Sequence, residues 1–155
     1  MKTTRTMLPL LALGLAFAAA TPAKADGPFQ FHSLTPCRIV DTRNAAGPTG
    51  GPALNHGQVR SFPIQGNCGV PSGAKAVALN VTVVSPAGGG HLTIFPSGTS
   101  VPLVSTLNFN AGEPALANGA IVPLSANAND LSTQPAVIGG NGTVHLILDV
   151  TGYFQ

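Results

Sequence analysis

Tryptophan is absent from this 155-residue sequence, tyrosine occurs once (Tyr153), and charge is scarce, with seven Lys and Arg against five Asp and Glu. Each shortage excludes something. Sugar-binding faces commonly rest on aromatic platforms, because a rigid ring buries a large area at small entropic cost; here little beyond phenylalanine is left to build one. Glycosidase chemistry needs two convergent carboxylates, yet Asp41, Glu113, Asp130 and Asp149 sit in separate segments. With Glu and Lys so rare, few windows can carry an amphipathic helix. No apolar run reaches the roughly 18 residues that a membrane-spanning helix needs.

What is present begins with a leader. Lys2 and Arg5 precede an apolar run from Met7 to Ala20, and Ala23-Lys24-Ala25 supplies a small-x-small cleavage pattern. Residues 1–25 read as a secretory signal peptide, leaving 26–155 as a single secreted domain. Cleavage removes Lys2, Arg5 and Lys24, three of the seven bases, while all five acids stay, so the mature chain carries a net charge of −1. Such a surface offers no counterion-release engine for nucleic acid and no polybasic patch for anionic lipid. Neither partner is expected, nor is a membrane span. Cys37 and Cys68 are expected to pair once exported, the alternative being two buried thiols. Their spacing, without other ligands, is no zinc signature.

Short β-like runs recur through the mature chain, punctuated by Gly, Pro and Asn: CRIVDTR, KAVALNVTVV, GHLTIFP, STLNF and TVHLILDVTGYF among them. Strands at this spacing predict an all-β sandwich, jelly-roll-like, with one disulfide. SPAGGG (85–90) and GGNG (139–142) read as hairpin turns. Period-two alternation places Val77, Leu79, Val81 and Val83 inward, and likewise Leu92 with Ile94, Leu107 with Phe109, and Val144, Leu146, Leu148 and Val150. The outer surface then carries Asn80, Thr82, His91, Thr93, Thr106, Asn108 and His145, a candidate binding face, with Ile147 and Asp149 on the outward side of the last strand.

CRIVDTR concentrates three ionised side chains, Arg38, Asp41 and Arg43, in a chain that has few. If Cys37 and Ile39 face the core, Asp41 and Arg43 follow them into it at the strand end. A charge drawn out of water must be paired and hydrogen-bonded. Two readings follow for Arg38, Asp41, Thr42, Arg43 and Asp149: a structural clasp, which is favoured, or recognition of a carboxylate or sugar by the arginines.

FHSLTPCRIVDTR (31–43), VPSGAKAVALNVTVVSP (70–86), STLNF (105–109) and ILDVTGYF (147–154) together resemble a family of secreted bacterial β-domains. Its members open with P-x-R-x-x-D-T-R, close with D-V-x-G-Y-F, and occur alone or joined to cell-wall amidases and other exported proteins. The matching positions are Pro36, Arg38, Asp41, Thr42, Arg43, Asn80, Asp149, Gly152 and Tyr153. The resemblance implies an accessory or surface role without an assigned activity.

No G-x-S-x-G elbow is present, and no enzyme activity is expected. His91 and His145 would suit a metal only if their strands were neighbours; otherwise they are solvated, so neither metal nor cofactor is assigned. Two functions remain. One is a non-catalytic secreted module binding cell-wall or extracellular polysaccharide. The other is a self-associating structural subunit, since an uncharged β surface has little to block lateral pairing.

Overall fold

Alternation at period two and glycine–proline punctuation favour strands over helices. The computed structural model describes residues 27–155, and those residues form nine strands and no helix. The signal peptide read at 1–25 lies outside the described residues. In chain order the strands are β1 (Phe31–Asp41), β2 (Leu54–Asn55), β3 (Arg60–Phe62), β4 (Ala76–Val84), β5 (Gly90–Pro96), β6 (Leu107–Phe109), β7 (Leu116–Pro123), β8 (Leu131–Val137) and β9 (Thr143–Phe154).

Two antiparallel sheets result. One runs β1-β9-β4-β7, with the two-residue β2 lying against the start of β9; the other runs β3-β8-β5-β6. Setting β2 aside, eight strands in these orders make a jelly roll, two Greek keys wound into a sandwich. The chain is thus an all-β sandwich carrying one disulfide, Cys37–Cys68, with Cα atoms 5.8 Å apart. That bridge ties β1 to the connection between β3 and β4.

The inward faces fill the space between the sheets. In β4 the burial alternates residue by residue, so that Val77, Leu79, Val81 and Val83 are buried. They pack with Leu92, Ile94, Leu107, Phe109, Leu146 and Leu148. Each such side chain contributes about 1.5–3 kcal/mol on full burial.

Three expectations need correction. SPAGGG and GGNG are not hairpins: each carries the chain from one sheet to the other, β4 to β5 and β8 to β9. The glycines of the first serve close approach instead. A Cβ on Gly90 would stand 2.1 Å from the Ala136 carbonyl oxygen, and one on Gly88 would stand 2.8 Å from Val137. Strict alternation also fails in β1, where a register shift between Arg38 and Val40 turns both Ile39 and Val40 into the core. Ile147 sits on the outward side of β9 yet is buried, opposite Asp41 across the ladder.

β1 and β9 close the fold. Their far ends meet where Gln30 N–H donates to Gln155 O at 2.9 Å and Gln155 N–H donates back to Gln30 O at 3.1 Å.

Candidate functional site

The charges of CRIVDTR form a network within the protein. Arg43 donates from Nε and Nη2 to the two Asp41 oxygens, at 2.8 and 2.6 Å, and its backbone N–H adds a third bond at 3.1 Å. Asp41 is 6% exposed, whereas the Arg43 side chain remains 44% exposed. Only the carboxylate is withdrawn from water, which corrects the expectation that both enter the core. Arg43's hydrogen bonds hold the Asp41 carboxyl down to about 2 and raise the Arg43 guanidinium in turn. Arg38 crosses to β9, donating to Asp149 from Nε at 2.8 Å and Nη2 at 3.2 Å, with Asp41 a further 3.6 Å contact. The bond to Asp149 raises the Arg38 guanidinium. Thr42 is buried; its hydroxyl accepts from Leu146 N–H at 2.8 Å and lies 3.2 Å from His145 Nδ1.

The two end motifs therefore meet on one ladder. Arg38 faces Asp149, and Asp149 faces Asn80 on β4. Asn80 and Thr82 share a 3.3 Å hydrogen bond on the outer side of the same sheet. Gly152 accepts the Phe31 ring over its backbone, where a Cβ would lie 2.4 Å from two ring carbons. Phe31 meets Phe154 at 5.1 Å between ring centroids, and His32 stacks on Tyr153 at 4.9 Å.

The predicted outer-face residues divide between two surfaces. Asn80, Thr82 and His145 belong to the β1-β9-β4-β7 sheet, while His91, Thr93, Thr106 and Asn108 belong to the other side of the sandwich. His91 and His145 accordingly do not meet. Thr93 and Thr106 are not free either, because the β5–β6 connection, which ends at Thr106, folds back onto β5. Thr93 Oγ1 donates to Val104 O at 2.7 Å, and Thr106 Oγ1 accepts from Ile94 N–H at 3.0 Å.

His91 and Asn108 stay accessible and face each other across β5 and β6. They lie where two open depressions join on the outer face of the β3-β8-β5-β6 sheet. One, of about 550 Å³, is lined by His91, Asn108, Gln134 and the 101–105 segment; the other, of about 410 Å³, by His91, Asn108, Ala136 and Ile138. Among the described residues, the half-buried His91 ring and the exposed Asn108 carboxamide have no hydrogen-bond partner within the protein, and no three His, Cys, Asp or Glu side chains gather as a metal site.

Sequence reasoning missed several participants. Gln134 and the apolar lips Leu103 and Ile138 carry no motif. Asp130, noted only as one of the dispersed carboxylates, is buried and accepts from Ile64 and Gln65 N–H at 2.9 and 2.8 Å. Arg60 reaches the carbonyl oxygens of Gly47, Gly50, Gly51 and Pro52 at 2.7–3.1 Å and lies 4.9 Å over the Phe62 ring. Burial lowers its guanidinium. For Gln134, Asp130 and Arg60 the advance signal was a polar residue in or beside a strand, which many solvated residues share; Leu103 and Ile138 gave none.

No protein-family model matches the chain, and no curated protein matches it. Among solved structures, the coat protein of Tobacco streak virus is similar at 12% identity, over 86% of this chain and 90% of that one, with a TM-score of 0.42.

Proposed function

We propose that this chain is a secreted, non-catalytic module of the bacterial surface that binds a cell-wall or extracellular polymer. The observation that carries the reading is the two-lobed groove around His91 and Asn108, an open trough with unpartnered polar groups at its centre. The leader-like residues 1–25 and the Cys37–Cys68 bridge fit an exported protein. The Arg38–Asp149 and Arg43–Asp41 pairs satisfy one another and leave the clasp with a structural role.

The test is co-sedimentation of the protein with insoluble bacterial wall material, beside a His91→Ala/Asn108→Ala variant. Both side chains reach the surface, so the variant keeps the fold. Binding by the parent and loss in the variant support the reading; equal retention of both moves the site elsewhere, and no retention of either removes polymer binding.

A second reading, self-association as a structural subunit, is favoured by β7. This edge strand of eight residues contains no charge and pairs with β4 without a register break. Long regular edges normally carry a charge, bulge or cover that prevents pairing with another chain. Ile121 is exposed there. Light scattering over a wide concentration range decides it: concentration-dependent growth that Ile121→Lys abolishes supports assembly through β7, and a monomer throughout eliminates it.

A further inference from the structure

We infer that the groove on the β3-β8-β5-β6 sheet accepts a neutral glycan chain, rich in hydroxyl and acetamido groups, and rejects anionic polymers. This rests on the polymer-binding reading above and narrows it to a chemical class. The described residues contain four cationic side chains, Arg38, Arg43, Arg60 and Lys75, and none lines either lobe. Arg38 and Arg43 are held by Asp149 and Asp41, and Arg60 is spent on backbone carbonyls. Lys75 immediately precedes β4, in the opposite sheet. An anionic polymer would find no counter-charge there to offset the hydration it gives up on contact. No carboxylate lines the lobes either, so a cationic ligand is no better served.

The polar groups that remain suit hydroxyl and amide hydrogens. Gln134 Nε2 donates to Gly57 O at 2.9 Å, which leaves Oε1 as the free end of that carboxamide, an acceptor. Asn108 offers a donor and an acceptor, and the His91 ring one or the other at each nitrogen. A sugar presents both kinds of partner at short intervals along its chain. The lobes share His91 and Asn108, so a repeating ligand can lie through both and present similar groups to the same centre. The outer ends are aliphatic: Leu103 is fully exposed at one and Ile138 is 80% exposed at the other. They suit the methyl of an acetamido group or the C–H face of a pyranose. Because no exposed aromatic ring lines the groove, the grip per sugar is weak and grows with chain length.

The full secreted chain is titrated with a soluble N-acetylated chito-oligosaccharide and with polygalacturonate, at about 50 and about 200 mM salt. The same titrations use an Asn108→Ala/Gln134→Ala variant, and wall co-sedimentation runs in parallel. The expected result is binding of the neutral oligosaccharide with no salt dependence, weakened about tenfold or more in the variant, as loss of a hydrogen bond or two predicts, and none of the polyanion. Binding of polygalacturonate that falls steeply with salt overturns the inference. Wall retention without oligosaccharide binding overturns the inference while leaving the polymer-binding reading standing; loss of both overturns both. Oligosaccharide binding that the variant leaves unchanged overturns the assignment to this groove.

Discussion

Arg38 and Asp149 stand 111 positions apart in the chain and directly opposite one another across the β1–β9 ladder, joined by hydrogen bonds of 2.8 and 3.2 Å. The Arg38 side chain is 50% exposed, so solvent screens much of the attraction. A double-mutant cycle with Arg38→Met and Asp149→Asn in urea should give a coupling of about 0.5–1 kcal/mol. A coupling of zero would leave the ladder held by backbone bonds and packing alone.

Asp41 contributes differently because it is buried. The hydrogen bonds from Arg43 hold its carboxyl down to about 2 in the folded protein, against about 3.9 in an unfolded chain. The contribution is therefore complete above about pH 4 and lost as the pH falls toward 2, worth about 2 kcal/mol. Asp41→Asn should lower neutral stability by about that amount and flatten the acid limb of a denaturation series. A variant whose acid limb parallels the parent's would refute the assignment.

Asp130 fastens the segment after β3 to the start of β8. Asp130→Asn keeps one acceptor for two N–H donors, leaving one buried amide unpaired at a cost of about 2–3 kcal/mol. Hydrogen exchange gives the local check: the Ile64 and Gln65 amides, which donate to Asp130, should exchange faster in the variant than the β4 ladder amides do.

Gly152 is required by its neighbours. A Cβ there meets the Phe31 ring at 2.4 Å and the His32 carbonyl oxygen at 2.7 Å. Gly152→Ala should cost about 1–3 kcal/mol through overpacking, and Phe31→Ala should restore only part of it, because the carbonyl remains. Full rescue would show that the ring alone sets the demand.

The disulfide closes a long loop, with 31 residues of separation between its cysteines. Cys37→Ser/Cys68→Ser should lose about 3–4 kcal/mol in the chain-entropy account, read as a lower urea midpoint.

Much of the sandwich was legible in the sequence. Strict alternation in β4 and most of β9 marks a strand with one buried face, and Val77 through Val83 obey it. The disulfide and the Asp41–Arg43 pairing were readable too, from compartment and from same-face spacing. Strand partnership was not. Glycine-rich links look alike whether they reverse a chain within a sheet or carry it across, because in both cases the local demand is for small residues. The burial of Thr93 was hidden for a similar reason: it is imposed by Val104, eleven positions later and on a loop. Asp130 and Arg60 were invisible because their partners are backbone groups, which no side-chain pattern records. At the groove, His91 and Asn108 were readable as outward residues, but Leu103 and Ile138 join them only once the loops are placed.

The exchange of backbone bonds between Gln30 and Gln155 has an architectural consequence. A chain entering at residue 30 and leaving after residue 155 crosses only the gap between neighbouring strands, about 5 Å. The sandwich behaves as a plug with both leads at one end. It can be spliced into a surface loop of a larger protein, strung in series, or cut open at a distant loop and rejoined at these leads, while its groove stays turned away on the other sheet.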